Sequence, residues 1–184
     1  SYAEIAAKGG GILNSAQKIA LASEDELYEQ AMARLHHLMK LGTGAIEIKS
    51  GYGLNTANEL KMLRVIKRIK ETAPIPVKSS FLGAHTYPLD FKENHEGYIK
   101  QIIEEMLPVI AQEKLADYID VFCEDGFFSV TETKRICEAG KGYGLKPKIH
   151  ANQLHASGGV ELGVQIGAVS VDHLETMNDA AIQA

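Results

Sequence analysis

The sequence has the size and composition of an ordinary globular domain. It has 184 residues, of which 45% are hydrophobic and 23% charged, and this balance excludes an intrinsically disordered chain. Its 19 basic and 24 acidic residues give a net charge of −5 without a basic run, which argues against nucleic acid and anionic membrane as partners. No apolar stretch approaches the roughly 20 residues that a membrane-spanning helix needs.

Helices and strands are predicted to alternate along the chain. Capping boxes, in which a Ser or Thr is followed three residues later by a Glu, predict helices that begin at Ser23, Thr56 and Ser129. Further helices are predicted around residues 96–107, where Pro108 ends or kinks the helix, from Ser157 and after Asn178. Apolar runs predict strands at residues 45–49, 77–83, 118–124, 146–150 and 168–173.

This alternation predicts an α/β fold with a parallel sheet of about five strands. No hairpin signal separates the strands, and two architectures fit: an open doubly wound sheet or part of a (β/α)₈ barrel. No G-x-G-x-x-G follows the first strand, which weakens the dinucleotide-binding version of the first architecture. A complete barrel takes about 250 residues, so a barrel of this length would be partial.

A polar residue stands at or just after the carboxyl end of every predicted strand. In chain order these residues are Tyr52, His85, Glu124, His150 and His173. The carboxyl ends of parallel barrel strands meet at one rim, which carries the active site in such folds. Three histidines at that rim favour a functional role, and imidazole suits zinc, iron and proton transfer alike. Spacing alone does not indicate which histidine would bind a metal.

Several other polar residues have simpler interpretations. Glu124 fits a catalytic base and a carboxylate that holds a neighbouring loop equally well, and His155 is ambiguous. The adjacent His36 and His37 lie on the first of the capped helices, where we expect them to be solvated. The glycine run at residues 9–11 is typical of a loop, although it would also fit a backbone wall of a binding site. Without a secretory pattern, the cysteines are expected to be buried free thiols.

Five segments, taken together, are more specific than any single motif. They are Glu47–Leu54 (EIKSGYGL), Phe81–His85 (FLGAH), Phe122–Glu124 (FCE), Lys148–Gln153 (KIHANQ) and Ser170–Glu175 (SVDHLE). Their combination resembles the imidazolonepropionase family of the amidohydrolase superfamily. The opening Ser1-Tyr2 also matches, and the resemblance covers essentially the whole chain in the family's order.

The resemblance implies a metal-dependent (β/α)₈ hydrolase with one divalent zinc or iron ion. Such an enzyme opens the ring of 4-imidazolone-5-propanoate with water to give N-formimidoyl-L-glutamate in histidine degradation. It implies a cytoplasmic location and a small-molecule substrate, and it leaves a homodimer open. By position, the resemblance implies a metal ligand at His150, catalytic residues at His173 and Gln153, and substrate contacts at Tyr2, Tyr52, His85 and Gln153.

Two departures from the family pattern matter. Some members have Glu where this chain has Gln153, and because an amide cannot act as a general base, the proton transfer would fall to His173 or to a group outside the chain. The H-x-H pair and the Asp of the family's metal site are absent from these 184 residues, although a catalytic zinc takes about three protein ligands. We therefore expect residues 1–184 to be a single partial barrel domain, inactive alone, that lacks the first and last barrel strands.

Two alternatives remain open. The chain could come from a related amidohydrolase, such as a deaminase, that acts on another cyclic substrate. It could also be a non-catalytic barrel fragment or binding piece. The segments Lys49–Leu54 and Phe81–His85 favour the imidazolone substrate over the first alternative, because they match the family's substrate-binding pattern and not only its metal pattern. An H-x-H pair ahead of Ser1 would favour the enzyme over the second.

Overall fold

A computed structural model describes residues 12–184 and contains five strands and eight α-helices there. The strands are β1 (Ile46–Lys49), β2 (Val77–Ala84), β3 (Tyr118–Cys123), β4 (Lys146–Ala151) and β5 (Val171–His173). The helices are α1 (Ile12–Leu21), α2 (Glu24–Lys40), α3 (Thr56–Thr72), α4 (His95–Lys100), α5 (Leu107–Glu113), α6 (Val130–Gly142), α7 (Gly159–Ile166) and α8 (Asp179–Gln183). Tyr2 and the glycine run at 9–11 lie outside the described residues.

The strand order decides between the two architectures. All four neighbouring pairs are parallel, and the order in the sheet is β1-β2-β3-β4-β5, the same as in the sequence. A doubly wound sheet reverses its order at a switch point, and this sheet does not. Glu47 of β1 hydrogen-bonds Lys148 of β4, although three strand spacings in a flat sheet would separate their backbones by about 14 Å. The sheet is therefore curled, as in part of a (β/α)₈ barrel.

The apolar core lies between the outer face of this curl and the helices. Its fully buried members include Leu63 of α3, Phe81 of β2, Ile119 of β3 and Ile149 of β4. Helix α6 lies close to the sheet, as the position of Gly140 shows. A Cβ placed on this glycine would be only 2.7 Å from the side chain of Ile119. The packing of helices on one face leaves the inner face of the strands for polar side chains. Within residues 12–184, no helix is both long and apolar enough to cross a membrane.

Two of the three predicted capping boxes are confirmed. Ser23 and Ser129 each accept a hydrogen bond from the backbone of the Glu three residues later, and each Glu bonds back. Asn178 caps α8 as expected. The helix predicted at Thr56 does begin there, but its capping box was wrong, because Asn55 caps α3 and the Glu59 side chain binds a loop instead of the helix start.

The predicted boundaries differ from the structure at three other places. Pro108 does not end its helix, since α4, a π-helical turn at Gln101–Met106 and α5 form one continuous helical segment. The π turn accommodates a residue that lacks an N–H group and crowds the preceding turn. Ser157 does not begin α7 but donates a hydrogen bond to the carbonyl of Cys123. Strand β5 begins at Val171, later than expected.

Candidate active site

Three histidine rings and two other aromatic rings gather where the strands end. The ring centroids of His150 and His173 are 5.4 Å apart. The ring centroid of Phe122 lies 6.1 Å from that of His85 and 6.4 Å from that of His173, so its ring neighbours both histidines. Tyr52 packs edge-on against His85 at 5.1 Å. Of the five predicted site residues within residues 12–184, four therefore lie together at the carboxyl ends of the strands, and the other, Gln153, follows β4 as a half-buried residue.

His85 has a defined tautomer in this arrangement. Its Nδ1 lies 3.0 Å from the carbonyl oxygen of Gly51. Because a carbonyl oxygen can only accept, Nδ1 carries the hydrogen and Nε2 keeps its lone pair. Burial lowers the pKa of His85, and the nearby His150 lowers it further, against the opposing effect of the Gly51 carbonyl. The ring is thus mostly neutral near pH 7 and can accept a hydrogen bond at Nε2.

His150 is oriented by a buried carboxylate. Its Nδ1 lies 2.9 Å from Oδ1 of Asp120, whose side chain is completely buried. Metal-ligating histidines usually donate their second ring N–H to such a partner, which fixes the ring and leaves the other nitrogen for the ion. His150 therefore has the surroundings of a metal ligand that would bind through Nε2.

A layer of charged side chains fills the inside of the curl next to His150. The ammonium nitrogen of Lys49 lies 2.6 Å from Glu47, 2.8 Å from Asp120 and 3.7 Å from Asp172. Lys148 is bonded to Glu47 and lies 3.8 Å from Asp172. Burial alone would lower the pKa of Lys49, but Asp120 and Glu47 raise it above its ordinary value, so Lys49 is a cation near neutral pH.

The sequence interpretation missed this layer as a unit. Its signal is nevertheless present, because Glu47 and Lys49 alternate with isoleucines, and Asp120 stands between Ile119 and Val121. Parallel strands covered on both faces normally read as continuous apolar runs. A charged residue at every second position of such a strand indicates a polar inner face.

Within residues 12–184, two groups of side chains have metal-binding geometry. The ligand atoms of Asp120, His150 and Asp172 lie within 4.8 Å of one another. In this group Asp120 bonds His150 and Lys49, and Oδ1 of Asp172 accepts from Ser170, which leaves Nε2 of His150 and Oδ2 of Asp172 outside these hydrogen bonds. The second group is Glu124, Asp125 and His155.

Glu124 holds a loop. It accepts the backbone N–H of Leu154 at 2.9 Å and that of Asp125 at 3.0 Å, and Nδ1 of His155 lies 3.3 Å away. Burial opposes ionisation, but these hydrogen bonds outweigh it and lower the pKa of Glu124 below its ordinary value. The geometry favours the loop-holding interpretation over that of a base, and His155 belongs to the same set of contacts.

The loops after β4 and β5 are bonded to each other. The side-chain amide of Asn152 donates to the carbonyl of Thr176 at 2.9 Å, and the Thr176 N–H donates to the Asn152 carbonyl at 2.9 Å. Asn152, His173 and Leu174 have positive φ angles of 56°, 84° and 59°. Such backbone costs free energy in non-glycine residues and persists where neighbouring contacts enforce it. Nδ1 of His173 lies 3.3 Å from Glu175, which leaves its Nε2 free of that contact.

The remaining candidates are accounted for more simply. His36 and His37 are exposed on α2, as expected. Both cysteines are buried free thiols, and burial raises the pKa of Cys137 to about 12, which is far from that of an active nucleophile.

The chain is similar over its whole length to curated proteins named imidazolonepropionase. It is 60% identical over 184 residues to that of Flavobacterium johnsoniae, covering 100% of this chain and 45% of the relative. It is 56% identical over 183 residues to that of Christiangramia forsetii, covering 100% and 44%. It is 45% identical over 182 residues to that of Thermoanaerobacter pseudethanolicus, covering 99% and 44%. The chain thus spans slightly less than half the length of these relatives, and no protein-family profile matches it.

Proposed function

We propose that this chain, which belongs to the imidazolonepropionase family, forms the central part of a hydrolase that opens the ring of 4-imidazolone-5-propanoate to give N-formimidoyl-L-glutamate in histidine degradation. The observation that supports this most strongly is that Tyr52, His85, His150 and His173 lie together at the rim formed by the carboxyl ends of the strands. Residues 1–184 would then be one partial barrel domain that lacks the first and last strands. The activity belongs to the full-length protein.

His150 is the proposed metal ligand in this chain. Its Nδ1 is committed to Asp120, so Nε2 would hold one zinc or iron ion. When bound, such an ion supplies Lewis acidity that makes hydroxide available from water near neutral pH. Lys49 and Lys148 partly balance the three acidic side chains of the charged layer, so a divalent cation would meet a net negative environment.

His173 is the proposed proton carrier. In the reaction, hydroxide adds to the ring carbonyl carbon, the bond from that carbon to the ring nitrogen breaks, and this nitrogen takes a proton. Nε2 of His173 is suited to hold that proton, because the other ring nitrogen faces Glu175. Gln153 has no titratable proton, so we assign it a hydrogen bond to substrate rather than the role of a base.

Tyr52 and His85 are the proposed substrate contacts, together with Tyr2. The Tyr52 hydroxyl can donate to a substrate oxygen, and the Nε2 lone pair of His85 can accept from a ring N–H of the substrate. A donor and an acceptor on adjacent side chains fit a planar ring that carries both kinds of group.

The test is an assay of the full-length protein with 4-imidazolone-5-propanoate. We expect the substrate to disappear and N-formimidoyl-L-glutamate to appear without ammonia. Release of ammonia from an aminated ring, with no opening of the imidazolone, would instead identify a deaminase. If neither substrate reacts while metal and folded protein are present, the non-catalytic alternative is favoured.

We further propose a cytoplasmic location, zinc or iron as the ion, and a homodimer. The location and the metal follow from the family resemblance, whereas the resemblance leaves the homodimer open and the measurement of subunit number decides it. Elemental analysis of the purified full-length protein identifies the metal, cell fractionation tests the location, and light scattering after size-exclusion chromatography gives the number of subunits. A monomer, another compartment or another metal would each overturn the corresponding assignment.

A further inference from the structure

Glu59 is a completely buried carboxylate whose partners are backbone amides and the Ser50 hydroxyl. It lies on the first turns of α3, and its oxygens accept the N–H groups of Gly51 at 2.9 Å, Gly53 at 2.6 Å and Leu54 at 3.2 Å. None of the ion pairs found in residues 12–184 includes it. Burial raises the pKa of Glu59 above its ordinary value, and hydrogen bonds from the Ser50 hydroxyl and the backbone N–H groups oppose this only in part. All of these donors belong to one short segment of chain, the loop of residues 50–54.

That loop fits closely against its surroundings. Gly51 has a φ of +109°, and a Cβ there would lie 2.7 Å from the carbonyl oxygen of Leu82. A Cβ on Gly53 would lie 2.4 Å from the backbone nitrogen of Glu59 itself. Leu54 follows with a φ of 56°. Because this loop turns so tightly, its N–H groups do not pair with a neighbouring strand. The Glu59 carboxylate provides the hydrogen-bond acceptors for them instead.

The same loop connects Glu59 to the candidate substrate contacts. Tyr52 stands between Gly51 and Gly53, and the N–H groups of both glycines bond to Glu59. The carbonyl of Gly51 accepts from Nδ1 of His85 at 3.0 Å, and the Tyr52 ring packs on the His85 ring. One carboxylate therefore fixes the backbone on both sides of Tyr52 and, through Gly51, the orientation of His85.

We propose that Glu59 is a positioning residue for substrate binding, which holds the loop of residues 50–54 so that Tyr52 and His85 keep their productive orientation. This inference rests on the proposed function, because it takes Tyr52 and His85 as substrate contacts. Glu59 itself would touch neither the substrate nor the reacting atoms. Its loss should weaken substrate binding while the metal site at His150 stays intact.

The kinetic test is Glu59→Gln in the full-length protein. The amide has the same shape, but it turns one acceptor into a donor that faces backbone N–H groups. We expect KM to rise about tenfold or more, with a smaller change in kcat and unchanged metal content. Gly140→Ala is the control, since it crowds Ile119 near the amino end of β3, a destabilising change away from the rim, and should leave KM unchanged. A lowered Tm with an unchanged KM for Glu59→Gln would overturn the proposal.

A second measurement does not depend on the substrate. In wild type, the amides of Gly51, Gly53 and Leu54 should exchange slowly with solvent deuterium, and in Glu59→Gln they should exchange at least tenfold faster, while that of Val121 in β3 is unaffected. Unchanged exchange rates of the loop amides in Glu59→Gln would show that Glu59 does not hold the loop. If Glu59 is found to hold the loop but the wild-type protein does not open the imidazolone ring, then the proposed function is wrong and the role of Glu59 in the loop stands.

Two further variants keep the proposal falsifiable. Combining Glu59→Gln with Tyr52→Phe should raise KM by less than the product of the single effects, because the two residues would act through one contact. Fully multiplicative effects would mean that Glu59 does not act through Tyr52. If Glu59→Gln does not fold, Glu59→Asp keeps the charge, shortens the reach by one methylene group and permits both measurements.

Discussion

The three rim histidines differ through the partner of a single ring nitrogen. Nδ1 of His85 faces the carbonyl of Gly51, that of His150 faces the buried Asp120, and that of His173 faces the exposed Glu175. A backbone carbonyl fixes a tautomer, a buried carboxylate fixes the ring and leaves the opposite nitrogen for an ion, and an exposed carboxylate contributes a weaker contact. These differences suit a hydrogen-bond acceptor, a metal ligand and a proton carrier, respectively.

Replacing the proposed metal ligand tests its assignment. His150→Ala in the full-length protein removes the nitrogen donor, and we expect elemental analysis to show that metal content falls by most of its wild-type value. His36→Ala, on the exposed face of α2, is the matched control and should keep its metal. Full metal content in His150→Ala would exclude His150 as a ligand.

Replacing the proposed proton carrier should lower turnover without lowering the metal content. His173→Ala should keep the metal and reduce kcat by roughly 10²–10⁴-fold, which is the usual contribution of a positioned acid or base. Steady-state kinetics and elemental analysis of the same preparation check this. An unchanged kcat would remove His173 from the mechanism.

Among individual residues, some members of the candidate site could be predicted from the sequence and others could not. The histidines could be located because a strand end can be read from a few neighbouring residues. Asp120 could not be assigned to His150, nor Lys148 to Glu47, since these contacts join residues 30 and 101 positions apart and depend on the curl of the sheet. Glu59 was misassigned because T-x-x-E satisfies the capping pattern, while tertiary contacts gave its carboxylate other donors.

Elements whose ends are determined by local hydrogen bonds were the easiest to predict. The boxes at Ser23 and Ser129 close within three residues, so sequence contains the whole interaction. The π turn before Pro108 and the late start of β5 depend on packing against neighbours, which local patterns do not describe.

Helix α6 offers a matched pair of glycines for testing its packing on the sheet. Gly140→Ala places a methyl group against Ile119 of β3 and should destabilise the protein by about 1–3 kcal/mol. Gly142→Ala has open space around it and should be neutral or stabilise by up to about 1 kcal/mol. Denaturant unfolding of the full-length variants measures both changes, and equal effects would contradict the close approach of α6 to β3.

The ion pairs of Glu47 with Lys49 of β1 and Lys148 of β4 predict a stability that depends on pH. Burial alone would raise the pKa of Glu47, but hydrogen bonds from Lys148, Lys49 and Ser80 lower it to about 2 from its ordinary 4.5. Because the folded pKa is the lower one, this stabilisation is complete above pH 4.5 and is lost as the pH falls towards 2. Glu47→Gln should therefore flatten the decline of Tm between these pH values, and an unchanged profile would contradict the assignment.

At the scale of the whole molecule, the sheet has two free edges within residues 12–184. Strands β1 and β5 each pair with one neighbour there, whereas a closed barrel has no edges. The relatives are about twice as long as this chain. We propose that the remainder of such a protein closes the barrel, covers both edges and supplies the other metal ligands.

A comparison of two lengths tests this. The 184-residue chain expressed alone should fail to open 4-imidazolone-5-propanoate, because it offers only His150 as a proposed ligand, and its edges should promote self-association. The full-length protein should be active under the same conditions. Measurable turnover by the 184-residue chain would contradict the assignment of essential ligands to the rest of the protein.

The loops at the rim contact one another in series, through hydrogen bonds and, between the loops after β2 and β3, through the stacked rings of Tyr87 and Phe128. Gly51 is bonded to His85, Glu124 to the loop at Leu154, and Asn152 to Thr176. A designer who exchanged a single loop to change the choice of substrate would therefore break contacts on both of its sides. When rim loops are exchanged with those of another protein, neighbouring loops should be transferred together with the residues that join them.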